Sequence, residues 1–256
     1  MEQIEALADM IAASNKIVVF TGAGFSTESS VPDFRGPQGV WEKFDPNELN
    51  LQNFLRYEDI RVKYWQVHRL FWETVREAEP NSGHYAVTEM HNMGKLDSVI
   101  TQNTDGLHQK SGTPNEKVFE LHGTMHWVDC LDCRKRYPRE DVHQMMLAGQ
   151  EVPRCNDCNG ILKPATVAYG QSMPQREMQE SEAASSRCDL LIGAGSSMVV
   201  YPAAQMPMIA KRAGAKLVII NLTDTPHDHL ADIVINEKTG EVLSQSVVKA
   251  KEKLQK

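Results

Sequence analysis

Residues 16–27 read KIVVFTGAGFST, and the order of residue types in that run decides the fold. Ile17, Val18, Val19 and Phe20 make a short, continuously apolar and mostly β-branched run, the composition of a strand buried on both faces. The loop Gly22-Ala23-Gly24-Phe25-Ser26-Thr27 follows at once, bringing mobile backbone amides to a place where a helix N-terminus can hold phosphate oxygens. A strand that turns into a glycine loop opens a βα unit. Read alone, the loop also fits a tight structural turn. The fingerprint of hydride-transferring dinucleotide enzymes also wants a third glycine where this chain has Thr27.

Similar runs recur outward from this one: SVIT at 98–101, DLLIG at 189–193, KLVII at 216–220 and DIVI at 232–235. Apolar residues at helical spacing lie between them, over 3–13, 57–79, 82–93, 202–213 and 240–253. Strands alternating with helices predict an α/β fold with a Rossmann-like, doubly wound parallel sheet, whose ligands gather at the carboxyl ends of the strands. From about 126 to 163 the alternation lapses into Cys, Arg, Lys and Pro around one weak helical stretch, which marks a small inserted module. A chain of 256 residues with 41% hydrophobic content can close one substantial core with such an appendage.

The formal charge of −7 disfavours a partner held through phosphate contacts, so nucleic acid is not an expected direct ligand. The N-terminal stretch has acidic residues and no basic region ahead of an apolar one, so it does not read as a secretion signal. No apolar run approaches the roughly 20 residues that cross a bilayer. A cytoplasmic protein without membrane association is expected, and in a reducing compartment paired cysteines read as metal ligands before disulfides.

Polar residues cluster where strands end. Val31-Pro32-Asp33-Phe34-Arg35-Gly36 follows the first loop, and Thr101-Gln102-Asn103-Thr104-Asp105-Gly106-Leu107-His108 follows the SVI strand. Side chains of Asn, Gln and Asp at such a place can read an amide and ribose hydroxyls, and Arg35 can meet a pyrophosphate with a forked donor. Loop capping by Asx-turns accounts for any one of them as well. His122-Gly123 ends another apolar segment, KVFEL, and histidine is the side chain best suited to take a proton near neutral pH, although a lone histidine is more often structural. Cys130 and Cys133 pair with Cys155 and Cys158 across 21 intervening residues, the spacing of a structural zinc site. Four thiolates complete a tetrahedral shell and leave no position for water, so such a metal is structural. A redox dithiol is the alternative. Cys188 reads as a small buried apolar residue.

Taken in order, GAGFS, VPDFRG, TQNTDGLH, HG, the two C-x-x-C pairs, GAGSSMVVYP and NLT resemble the sirtuins over nearly the whole chain. The resemblance implies an NAD-dependent protein-lysine deacetylase of the bacterial or archaeal single-core type, with NAD as co-substrate and one structural zinc. It also implies a large domain from about 1–35, 95–125 and 164–256, and a small domain from a helical insertion at about 36–94 and a zinc module at about 126–163, with the acyl-lysine peptide between the two. Residues matching the family's cofactor contacts are Ala23, Thr27, Phe34 and Arg35, then Gln102, Asn103, Thr104 and Asp105, then His122, Ser196, Ser197, Asn221 and Leu222, with a last contact near Thr239 or Gly240. By the same resemblance Asn103 and Asp105 line the nicotinamide pocket, the acyl oxygen attacks the ribose carbon as nicotinamide leaves, and His122 is general base on a ribose hydroxyl. Asn103 and His122 are thus the implied catalytic pair. The peptide would add as a strand between Ala165–Tyr169 and Met198–Tyr201, touching Val167, Ala168, Tyr169, Gly170, Val199 and Tyr201.

The chain departs from the family pattern in places. Ser29-Ser30-Val31-Pro32 stands where Ser-Gly-Ile-Pro is usual, and Tyr169-Gly170-Gln171 where Phe-Gly-Glu is usual, with Ala168 at a position that is commonly bulky. The Tyr-x-x-Arg pair of relatives that prefer acidic acyl groups is absent, since Gln66 and Arg69 stand at that spacing. Acetyl and other small neutral groups are therefore expected. A deacylase preferring longer or acidic groups, a protein mono-ADP-ribosyltransferase, an NAD-binding sensor and a zinc-ribbon nucleic-acid binder are the rival readings.

Overall fold

A computed structural model describes residues 1–33, 45 and 47–255. Phe34 and Arg35, two of the expected cofactor contacts, lie outside the described residues.

The predicted doubly wound sheet is present. Its strands are β1 (Ile17–Thr21), β2 (Leu96–Thr101), β3 (Val118–Glu120), β7 (Leu190–Ala194), β8 (Lys216–Ile220) and β9 (Ile233–Ile235), in the order β3-β2-β1-β7-β8-β9. Every neighbouring pair is parallel. Alternation along the strands sends side chains to two cores. Ile17, Val19, Leu190, Ile192, Val218 and Ile220 pack on one face with helices α1 (Glu2–Ala13), α4 (Ser82–Asn92) and α9 (Thr239–Leu254). Val18, Phe20, Leu191, Leu217 and Ile219 pack on the other with α7 (Gln175–Arg187) and α8 (Met206–Arg212). Both faces are covered, which is why these strands read as unbroken apolar runs.

The chain runs from β1 outward to β2 and β3, then returns to β7 on the other side of β1 and continues to β8 and β9. The winding therefore reverses between β1 and β7, and a crevice opens beyond their carboxyl ends.

A second, antiparallel sheet has the order β5-β4-β6, from β4 (Gly123–Cys130), β5 (Arg136–Pro138) and β6 (Leu162–Thr166). The weak helical stretch of the insertion is α6 (Arg139–Leu147). Trp65 of α3 (Glu58–Val75) joins Val128, Tyr137, Val142, Met146 and Leu162 in one buried cluster, so α3 packs with the cysteine-bearing module. A short helix α2 (Leu51–Arg56) precedes α3, its N-cap Asn50 accepting from Asn53 N at 2.9 Å. α4, although it falls in the 36–94 segment, contributes Ala86, Val87 and Met90 to the core of the large sheet. The short helix α5 (Leu107–Lys110) follows the loop after β2.

Candidate active site

The loop after β1 and the loop after β2 meet through one serine. Ser26 Oγ donates to Asp105 Oδ2 at 2.7 Å and accepts from Asn103 Nδ2 at 3.0 Å, while Asn103 Nδ2 also donates to Gly22 O at 3.0 Å. All three side chains are buried. Burial pushes the Asp105 carboxyl above the usual carboxylate range, against the hydrogen bonds from Leu107 N and Ser26 that favour its ionised form. Asn103 spends both amide hydrogens on this scaffold, so its Oδ1 is the acceptor left to meet a ligand.

Gln102 ties the β2 loop to the β7 loop and to the histidine. Its Nε2 donates to Ser196 Oγ at 2.8 Å, and its backbone oxygen accepts from His122 Nδ1 at 2.9 Å. A carbonyl oxygen can only accept, so Nδ1 carries the hydrogen, and in the neutral ring Nε2 is the basic nitrogen. His122 sits between β3 and β4, where Val167 N donates to its carbonyl at 2.8 Å. Gly123 has φ +71°, and a Cβ there would lie 2.1 Å from Ala165 O. The glycine after the histidine thus lets β6 approach closely. Gly195 makes the matching approach on the other side, with φ +63° and a Cβ position 2.2 Å from Phe25 N.

Ala23 is half-buried in the first loop. Thr27 is exposed, and its Oγ1 donates back to Gly24 O at 2.9 Å. Thr104 O accepts from Met125 N at 2.9 Å, which joins the β2 loop to β4. Ser196 and Ser197 follow β7, while Asn221 and the exposed Leu222 follow β8. Thr239 and Gly240 open α9 and are held by Glu28, whose Oε1 accepts from Gly240 N at 2.9 Å. The expected cofactor contacts among the described residues therefore lie beyond the carboxyl ends of β1, β2, β3, β7 and β8 and at the start of α9. Ser26 and Glu28 were not among the expected contacts. Ser26 lies inside the quoted loop, but only its partners across the sheet, far away in sequence, distinguish it from Thr27.

The segment after β6 carries the expected peptide contacts. Tyr169, Val199 and Tyr201 are exposed, Val167 is half-buried, and Ala168 is buried among Leu49, Phe54, Ile60, Tyr64 and Val67. Gly170 has φ +76°, and Gln171 closes the turn: its Oε1 accepts from Ala168 N at 3.2 Å and its own N donates to Ala168 O at 3.0 Å. The glutamine that departs from the family pattern is thus a turn residue. Arg69 is half-exposed and paired with Glu73 at 3.0 Å on its own helix.

All four Sγ atoms of Cys130, Cys133, Cys155 and Cys158 lie within 4.8 Å of one another, and none is in a disulfide. The Cys130–Cys158 and Cys133–Cys155 separations are 3.5 and 3.6 Å. A tetrahedron with Zn–S of about 2.3 Å has edges of about 3.8 Å, so the thiolates fit a closed zinc shell.

A doubly wound sheet with a polar cluster at its switch point, a histidine oriented by a carbonyl and a four-cysteine module define a dinucleotide-using enzyme with a structural metal site. The model of the Sir2 family matches residues 22–202, and the chain belongs to that family. It is 43% identical over 244 residues to the NAD-dependent protein deacetylase of Rhodopseudomonas palustris, covering 95% of this chain and 96% of that one. It is 42% identical to NAD-dependent protein deacylase 2 of Archaeoglobus fulgidus, over 98% and 97% of the two chains. A solved Sir2 complex with p53 peptide and NAD+ superposes with a TM-score of 0.88 at 36% identity, over 97% of this chain and 99% of that one.

Proposed function

We propose that this chain is an NAD-dependent protein-lysine deacetylase that moves the acyl group of an acyl-lysine peptide to ADP-ribose and releases nicotinamide. The observation that carries the reading is the junction of the buried Asn103–Ser26–Asp105 cluster with His122, whose tautomer is set by the Gln102 carbonyl. The residue set suits a dinucleotide: a glycine loop whose backbone can be approached closely, the carboxamide oxygen of Asn103 as an acceptor, and hydroxyls of Ser196 and Ser197 at the switch point. NAD supplies the sugar carbon that accepts the acyl oxygen as nicotinamide departs.

The chain's own residues do the rest. Asn103 Oδ1 and Asp105 orient the carboxamide end, Ser196, Ser197, Asn221 and Leu222 hold the far end, and Thr239 and Gly240 border it through Glu28. Phe34, Arg35, Ala23, Thr27 and Thr104 complete the cofactor contacts of this reading. An amide oxygen is a weak nucleophile, so holding it against the sugar carbon and excluding water are the main contributions to rate. His122 Nε2 takes the proton of a ribose hydroxyl. The peptide adds as a strand along 165–169, with 198–201 on its other side and Ala168, Tyr169, Val199 and Tyr201 against it.

The four cysteines hold zinc in a closed shell, away from the chemistry. The chain works in the cytoplasm in this reading, which the cysteines support, since none of them is in a disulfide. No helix of the described residues is long and apolar enough to cross a membrane. An acetyl-lysine peptide incubated with NAD tests the proposal. Nicotinamide is released only when both are present, and deacetylation without NAD, or nicotinamide release that is indifferent to the peptide's acetyl group, overturns it.

A further inference from the structure

The loop that bears Ser26 is gripped from behind by a residue outside every motif considered so far. Asn81 caps α4: its Oδ1 accepts from Gly83 N at 2.9 Å and His84 N at 3.3 Å, and its backbone N–H donates to His84 Nδ1 at 3.2 Å. The nitrogen of the same carboxamide faces the other way. It donates to Phe25 O at 2.8 Å and to Ser29 Oγ at 3.1 Å. One side chain therefore joins the start of a helix to both ends of the turn that contains Ser26.

Phe25 is wedged into the same junction. It is fully buried, with His84 edge-on at 4.9 Å and His108 stacked at 5.3 Å. His108 in turn lies 3.1 Å from Thr21 Oγ1, which donates to Thr101 Oγ1 at 2.9 Å. The ring and the two bonds from Asn81 fix the backbone of 25–29 relative to β1 and β2. Ser26 is the next residue along, and its hydroxyl serves both Asn103 and Asp105.

We propose that Asn81 is a positioning residue for NAD binding, one carboxamide whose oxygen caps α4 and whose nitrogen holds the 25–29 turn in the shape that seats the dinucleotide. The inference rests on reading the 22–27 loop as the NAD site. It separates two roles of one side chain, and substitutions can separate them too. Asn81→Asp keeps the capping oxygen but removes both donors and turns an anionic oxygen toward Phe25 O. Asn81→Ser also caps well and is too short to reach that carbonyl.

The experiment measures NAD affinity by calorimetry, steady-state constants and melting for the wild type, Asn81→Asp and Asn81→Ser. Each variant keeps the cap but loses the bonds to Phe25 O and Ser29 Oγ, so whichever folds is expected to melt about a few degrees below the wild type, Asn81→Asp lower than Asn81→Ser. Its Kd and KM for NAD should rise by about tenfold or more, while kcat at saturating NAD and the KM for acetyl-peptide stay within about twofold. A merely structural role would lower the melting temperature while the KM for NAD and the KM for acetyl-peptide stay in proportion to the wild-type values. Wild-type binding of NAD with equal affinity in both variants overturns the assignment of Asn81 alone. A wild type that binds no NAD overturns the reading of the loop, and this assignment with it. Failure of both capped variants to fold overturns the separation of roles.

Discussion

His122 donates through Nδ1 to the Gln102 carbonyl, so the ring enters the reaction with Nε2 able to take a proton. Replacing it with alanine removes the base but none of the hydrogen bonds among Ser26, Asn103 and Asp105. His122→Ala is therefore expected to lose acyl transfer by more than about a hundredfold while still folding and binding NAD, as turnover and calorimetry would show. Near-normal turnover would remove His122 from the mechanism. A second residue carries strain. Ser30 stands where the family pattern has glycine, and it adopts φ 64° and ψ 13°, the left-handed region. That conformation costs a non-glycine residue roughly 1–2 kcal/mol, against which glycine adds up to about 1 kcal/mol of freedom to the unfolded chain. Ser30→Gly is expected to gain roughly 0.5–1 kcal/mol in urea unfolding, and a loss of stability would refute the strain. The substitution was visible in the sequence as a departure. The positive φ that gives it meaning was not.

At the scale of elements, β3 carries a largely buried carboxylate. Burial, with Asp105 and Glu177 nearby, pushes Glu120 up to about 7 from an ordinary 4.5, although Gln109 hydrogen-bonds it. The folded state thus holds a proton that the unfolded chain releases, so this group favours folding fully below about pH 4.5 and loses that contribution as pH rises through 7. Glu120→Gln should be more stable than the wild type at pH 8, by up to roughly 3 kcal/mol, with the difference vanishing near pH 4. Urea unfolding at the two values checks it, and a pH-independent difference would contradict it. The cysteine module gives a second test. Its metal is expected at one zinc per chain, and chelation should unfold β4, β5 and β6 while the large sheet persists, as hydrogen exchange would show; a chain without zinc refutes it. The apolar runs of β1, β2, β7, β8 and β9 were legible because both faces of those strands are covered. α7 was not read from the sequence, for a physical reason: its inner face is Met178, Ser181, Ala184 and Ser185, with one large apolar side chain and two serines, too little for an apolar stripe.

For the molecule as a whole, the sequence motifs named most of the residues that converge at the switch point, because each motif follows a strand and strands of a doubly wound sheet end together. What they left unread are the ties between distant segments: Ser26 to Asp105, Asn81 to Phe25 and Glu28 to Gly240. Each is a contact between polar residues whose partner no local pattern specifies. Ala168 sits among apolar side chains and Arg69 is paired with Glu73, so the expectation drawn from the sequence, that acetyl is used faster than succinyl, is put to the same test. The most direct test of the account is mass analysis of the products when one peptide, carrying acetyl-lysine or succinyl-lysine, is turned over with NAD. The account predicts one acetyl-ADP-ribose and one free lysine for each nicotinamide released, with acetyl the faster substrate; free acetate with NAD intact, or ADP-ribose attached to protein, would contradict it.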